Sequence, residues 1–395
     1  MPAVAGVRLA MARAGIKYRG RDDLLLAALD PGTTVAGVFT RSGTAAAPVL
    51  WSRKVASRGR ARAFLINSGN ANAFTGTQGM RDVRTTAVQA AKAVGCRPGE
   101  VLLASTGVIG EPLPVERIVR ALPGIKRRLK PGPWQAAARA ICTTDTYPKG
   151  CMGQALIGNT PVTIVGIAKG SGMIAPDMAT MLSFIFTDAC VPAAILQPLL
   201  AAGTARSFNS ITVDSDTSTS DSVLFAATGK ACNQRPRSAN DPALKAFRLA
   251  LNEVLLDLAI QVVCDGEGAS KLITVTVRGA SSSQAARKAA FAVANSPLVK
   301  TAIAGEDANW GRVVMAVGKS GARLDQHKLS VAMGGVVIAD KGERVVQYDE
   351  ALVTEHLKGA DVSIELDLGV GKAKARVWTC DLTHDYIRIN ADYRT

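Results

Sequence analysis

"KGSGMIAPDMATMLSFIFTDA", residues 169–189, joins a glycine- and proline-punctuated loop to an apolar run. The run "MLSFIFTDA" reads as a buried strand, and "TPVTIVGIAKG" (160–170), just upstream, has the same β-rich character. Working outward, "AGVFT" (36–40), "RAFLIN" (62–67), "VLLAS" (101–105) and "KLITVTVRGA" (271–280) are further short strands, separated by Ala-rich stretches. Apolar residues recurring every three or four positions predict helices over 81–96 and 241–263. Ser296 as N-cap and Pro297 in the first turn open another at "SPLVKTAIA". Strands alternating with helices make this an α/β protein. After the serine-rich connector at 281–283 a smaller second unit is expected, giving a core of residues 1–280 and a C-terminal domain of 281–395.

With 395 residues, 48% of them hydrophobic and 20% charged, the chain has the material for one large or two ordinary domains and not the composition of a disordered one. The best candidate for a membrane span, "VPAAILQPLLAAG" (191–203), is short and broken by Gln197 and two prolines. The first 23 residues scatter their basic side chains around no apolar centre, which argues against a secretory signal, and they lack the serines of a transit peptide. A cytoplasmic location is expected. Seven cysteines, odd in number and never in a C-x-x-C pair, fit buried thiols better than disulfides or a zinc site. A net charge of +15 raises nucleic acid as a partner. The densest basic stretches, "SRKVASRGRAR" and "KRRLK", interleave no aromatics, so the charge reads as a solvated surface that attracts small anions.

Two motifs are decoys. "GRVVMAVGKSG" (311–321) separates its glycines by six residues where a phosphate loop requires four. "DSDTSTSD" (214–221) begins like a calcium loop but lacks the glycine at the sixth position and the closing glutamate. His327, His356 and His384 have no metal-ligand spacing and no nucleophile elbow, which disfavours a histidine-based triad. Hydroxyl chemistry without histidine remains. A threonine that begins a chain carries its own base, an α-amine of reference pKa about 7.7 to 8.0 close to its Oγ. Cleavage at Ala179-Thr180 would create one, and Gly170, Gly172 and Pro176 give the loop unusual backbone geometry. By spacing alone the plainer reading, a structural loop entering a strand, is favoured.

The same segment resembles the self-cleavage site of the ornithine acetyltransferase family, also called glutamate N-acetyltransferase. The likeness continues in family order through "INSGNANAFTG", "STGVIGEPLP", "TTDTYPK", "SFNSITVDSDTSTSDS", "DGEGASK", "NSPLVKTAIAGEDANWGR" and "CDLTHDYIRINADYRT". The resemblance implies β-sheets packed between helical layers, with a smaller C-terminal α+β domain. It implies an α chain of residues 1–179 and a β chain of 180–395, paired as an α2β2 heterotetramer. Thr180 would be the nucleophile, and Thr106 and Gly107 the oxyanion hole. Thr146, Lys169, Thr180, Glu267, Asn390 and Thr395 would contact substrate. The implied reaction moves acetyl from N-acetylornithine to glutamate with no metal or organic cofactor, and a bifunctional member would also take acetyl-CoA. The sequence departs from the family at Ser215, where glycine is expected, at Ser220, where asparagine is expected, and at His384, where an aromatic residue is expected.

Two rival readings stand beside this one. A self-processed N-terminal-nucleophile peptidase or amidase would use the same threonine but pass the acyl group to water. A basic nucleic-acid-binding protein would keep an intact chain and bind with a steep salt dependence.

Overall fold

The computed structural model describes residues 1–175 and 181–391, and the chain divides into two compact units. The first, residues 1–209 and 216–262, holds strands β1 (Val7–Ala12), β2 (Leu24–Leu29) and β3 (Thr34–Phe39), helix α1 (Ala47–Ala56), β4 (Ala63–Asn70), α2 (Gly76–Val94), β5 (Val101–Val108), α3 (Val115–Arg127) and α4 (Trp134–Ile141). It continues with β6 (Lys149–Ile157), β7 (Thr160–Lys169), β8 (Leu182–Thr187), α5 (Ala193–Arg206), β9 (Ser222–Ala227) and most of α6 (Lys245–Cys264).

Among the described residues of this unit nine strands form two sheets, ordered β1-β2-β4-β5 and β3-β9-β8-β7-β6. Their facing sides share one core: Leu25, Ala27, Phe64 and Ile66 from the first meet Val165, Ile167, Phe184 and Phe186 from the second. The Phe64 ring lies 5.6 Å from that of Phe186, and the Trp134 ring of α4 lies 5.3 Å from that of Phe186. The opposite face of the first sheet, Leu24, Leu26, Leu65 and Leu103, packs on Val83 and Ala87 of α2 and on Ile118 and Leu122 of α3. Helix α6 covers the outer face of the second sheet, its Phe247 stacked at 6.5 Å on Phe225. The layers therefore run helices, sheet, sheet, helices, the sandwiched α/β architecture expected. Because both faces of each sheet are covered, β2, β4, β8 and β9 are buried at every residue rather than at alternate ones, which is why the sequence shows apolar runs and no alternation.

The predicted helix over 81–96 begins earlier, at Gly76, and ends on Gly95 in the left-handed conformation (φ 78°). The one over 241–263 starts with a 3-10 turn at Pro242–Leu244, capped by the Asp241 side chain, which accepts the Ala243 N–H. Ser52 and Trp51 of α1 seal the free edge of β5: the Ser52 hydroxyl donates to the Leu103 carbonyl at 2.6 Å and accepts the Leu103 N–H at 2.7 Å. Trp51 Nε1 donates to the Val101 carbonyl at 2.9 Å. The unpaired edge is thus unavailable to another chain.

The second unit comprises residues 210–215 and 263–395. It contains β10 (Leu272–Ala280), α7 (Ser283–Ala294), α8 (Pro297–Ala304), α9 (Trp310–Gly318), β11 (Ser330–Met333), β12 (Val336–Asp340), β13 (Glu343–Arg344), α10 (Glu350–Lys358), β14 (Asp361–Asp367), β15 (Ala373–Cys380) and α11 (His384–Ala391). One sheet, ordered β13-β12-β11-β14-β10-β15, is buried on one side only. β14 accordingly alternates buried with less buried residues. The Ser281–Ser283 connector joins β10 to α7 inside this unit, and the division of the chain falls earlier, at Val262–Val263. Ser296 caps α8 as its sequence predicts, accepting the Val299 N–H. Among the described residues no helix is long and apolar enough to cross a membrane.

Candidate active site

The strands of the first unit end together around one buried cluster. β7 pairs with β8 at Lys169–Leu182, and β8 pairs with β9 at Leu182–Ser222. The next row outward is therefore Gly170, Met181 and Asp221, with Met181 following Thr180 directly in the chain. Ala179, Thr180 and Thr395 lie outside the described residues.

Thr106 and Gly107 come from the end of β5, in the other sheet. The motif "NSGNANAFTG" explains how that end is held. Ser105 Oγ donates to Asn67 Oδ1 at 2.6 Å, Asn67 Nδ2 to the Asn70 carbonyl at 2.8 Å, and Asn70 Nδ2 to the Glu111 and Pro112 carbonyls at 3.1 Å. Gly107 has φ 130°, and a Cβ there would fall inside the backbone of Gly69 and Asn70, so the close approach of β4 and β5 requires glycine.

Lys169 bridges the two sheets. Its ammonium, almost wholly buried, donates to Thr106 Oγ1 at 3.3 Å and lies 4.0 Å from Asp145 Oδ2. Asp145 in turn accepts Lys149 Nζ and the Gly170 N–H at Oδ1, both at 2.7 Å, and the Thr143 N–H at Oδ2, at 2.9 Å. Neither Asp145 nor Lys149 exposes any of its side chain. Burial by itself would raise the Asp145 pKa, but Lys169, Lys149 and the donors on its oxygens outweigh that and hold it at about 2. The carboxylate stays ionised and keeps two ammonium groups in place, one of them on the Thr106 hydroxyl.

Asp221 is fully buried one row beyond Lys169 and accepts the Met181 N–H at 2.9 Å. Burial pushes its pKa well up, against the opposing pull of that N–H, the Lys169 charge and the Ser218 hydroxyl. Two carboxyls near one lysine are thus driven in opposite directions, as functional sites often require.

The structure brings Thr106, Gly107 and Lys169 into one region and places Thr146 next to Asp145 in the turn before β6, where Thr146 is exposed. Glu267 and Asn390 belong to the second unit, where Asn390 Nδ2 donates to Glu267 Oε2 at 2.9 Å. Of the three departures, Ser215 adopts φ 66°, a conformation that glycine takes without cost. Ser220 is buried, its N–H on Ser218 Oγ, and His384 is exposed at the start of α11. Asp145, Lys149 and Asp221 escaped the sequence reading. The i,i+4 spacing of Asp145 and Lys149 was a visible signal for the first pair. Nothing local marks Asp221, which sits in a stretch read as a failed calcium loop and as one of the family motifs, with no role given to its carboxyl.

A family model described as the ArgJ family matches residues 8–395. The chain is 57% identical over 392 residues, 99% of its length and 92% of the relative's, to the arginine biosynthesis bifunctional protein ArgJ of Gluconobacter oxydans. It is 55% identical over 398 residues, 100% of its length and 96% of the relative's, to the protein of that name from Bradyrhizobium diazoefficiens. The solved arginine biosynthesis bifunctional protein argJ from Bacillus halodurans is similar at 44% identity and a TM-score of 0.50, covering 52% of this chain and 95% of that one.

Proposed function

The chain belongs to the ArgJ family, and from that premise we propose that it transfers acetyl from N-acetylornithine to glutamate, through an ester on Thr180, in bacterial arginine biosynthesis. The observation that carries the proposal is the Lys169–Thr106 bond of 3.3 Å, with Lys169 paired in register to Leu182, two positions after residue 180 in the chain. A threonine hydroxyl that accepts from a buried ammonium is polarised, and its own O–H is the better donor for it.

The chain first cuts itself: Thr180 Oγ attacks the Ala179 carbonyl, the amide becomes an ester, and water releases the α chain of 1–179 from the β chain of 180–395. The freed α-amine of Thr180 then takes the proton of its own hydroxyl as Oγ attacks the acetyl carbonyl of N-acetylornithine. Thr106 O–H and Gly107 N–H hold the oxyanion. As the amide bond breaks, that proton passes to the departing ornithine nitrogen. In the second half the glutamate amine attacks the acetyl ester, Thr180 Oγ regains a proton, and N-acetylglutamate leaves. In the first unit Lys169 supplies a positive charge for the carboxylate of the substrate, with Thr146 as a further contact. No step calls for a metal or an organic cofactor, and acetyl-CoA would enter as an alternative donor to the same threonine.

The Bacillus halodurans chain supports a cut precursor, because nearly all of it matches yet it covers about half of this one. An α2β2 assembly in the cytoplasm accompanies this reading. Family membership favours an amine acceptor over water, and so this reading over an amidase. The test is the denatured mass of the purified protein together with an acetylornithine-plus-glutamate assay. Two chains, one starting Thr180-Met181-Leu182, and transfer that Thr180→Ala abolishes are expected. A single 41.1 kDa chain without transfer, or a Thr180→Ala variant that still cuts and transfers, refutes the proposal.

A further inference from the structure

Three buried side-chain oxygens have no hydrogen-bond partner among the described residues: Thr86 Oγ1, Thr204 Oγ1 and Asp221 Oδ2. Only the last stands beside the cluster just described. A buried polar atom left unmatched is costly and asks for a reason. Asp221 Oδ1 is committed, since it accepts the N–H of Met181, the peptide that leaves residue 180. The backbone around it is fixed as well, the Asp221 carbonyl accepting the Thr40 N–H at 3.1 Å. The carboxyl therefore cannot turn away to satisfy Oδ2 without surrendering Met181.

We propose that Asp221 is a positioning residue for the Thr180 nucleophile, holding the following peptide through Oδ1 and reserving Oδ2 for a group of the active centre. The inference deepens the acetyl-transfer reading and rests on it. Its chemistry is that of a carboxylic acid rather than a carboxylate. Burial favours the neutral form, Oδ1 is occupied as an acceptor, and the proton falls to Oδ2, which becomes a donor. The role requires an acceptor and a donor in fixed positions and no charge. Asparagine has the same shape, the same acceptor at Oδ1 and an N–H in place of the Oδ2 proton.

The experiment compares wild type, Asp221→Ala, Asp221→Asn and Asp221→Glu in the full chain. Self-cleavage is read by mass, and kcat and KM with acetylornithine and glutamate. Asp221→Ala is expected to cleave slowly and to lose at least 30-fold in kcat with KM within threefold. Asp221→Asn should recover both to within about threefold of wild type, and Asp221→Glu, which moves the acceptor, should not. The infrared difference between wild type and Asp221→Asn at pH 7 should contain the carbonyl band of a protonated carboxyl. An Asp221→Ala protein with wild-type kcat, an Asp221→Asn protein as impaired as a folded Asp221→Ala, or the absence of that band overturns the proposal. Should Asp221→Ala not fold, the Asn and Glu variants and the infrared band still decide. A wild type that self-cleaves without transferring acetyl fails the functional reading instead, and the cleavage rates then test Asp221 alone.

Discussion

Replacing Asp145 by asparagine should unfold the first unit far more readily than a one-atom change suggests. Oδ1 of Asp145 meets two donors, Lys149 Nζ and the Gly170 N–H, and Oδ2 meets a third, the Thr143 N–H, with Lys169 Nζ 4.0 Å away. An amide has one acceptor oxygen, so whichever way it is turned its NH2 group faces a donor. Two ammonium groups also lose the anion that neutralised them in a site where neither Asp145 nor Lys149 touches solvent. Removing one partner of a buried ion pair costs about 3 to 5 kcal/mol. At a urea slope of about 3 kcal/mol/M, that is a fall of about 1 to 2 M in midpoint. The comparison is best made in an uncut Thr180→Ala background, so that each protein unfolds as one chain, with Trp51 and Trp134 as fluorescent reporters of the first unit. A loss below about 1 kcal/mol would mean that the three donors are served by water, and the claim that Asp145 holds Lys169 against Thr106 would fall with it.

The same carboxylate sets an acid limb. Its pKa is lowered from 3.8 to about 2 on folding, so its contribution is complete above about pH 4 and is lost as the pH falls towards 2. Acid titrations of wild type and Asp145→Asn should accordingly converge at the low end, and parallel curves would contradict the assignment. Thr106→Ala should lower kcat by about 10²–10³ while leaving KM nearly unchanged, as loss of an oxyanion donor does, and equal effects on binding of substrate and turnover would argue for a structural role. Gly107→Ala should fail to assemble the β4–β5 end, giving insoluble or inactive protein, because φ 130° and the adjoining Gly69 backbone leave a Cβ nowhere to go. A soluble Gly107→Ala enzyme with wild-type kcat would show that the strand ends can part.

Much of this protein is written locally. The Gly/Pro loop at 169–176, the hydroxyl at 180, the helical periodicities and the capping of α8 by Ser296 are properties of neighbouring residues, and so are legible before any fold is known. The family motifs likewise mark Thr106, Gly107 and Lys169, because a motif travels with the chemistry it serves. What only the tertiary structure decided is which charges lose their water. Lys169 and Thr106 stand 63 positions apart, Asp221 and Met181 stand 40 apart, and no periodicity links either pair. Lysines and aspartates read from sequence are surface residues by default, since a charge costs least in solvent. Here the two sheets close over them, and at the strand ends the neighbouring ammonium groups hold the Asp145 pKa down while burial pushes that of Asp221 up. The sequence supplied the hydroxyl, ammonium and carboxyl groups; the packing of one sheet on the other set the burial of Thr106, Lys169, Asp145 and Asp221 and the distances among them.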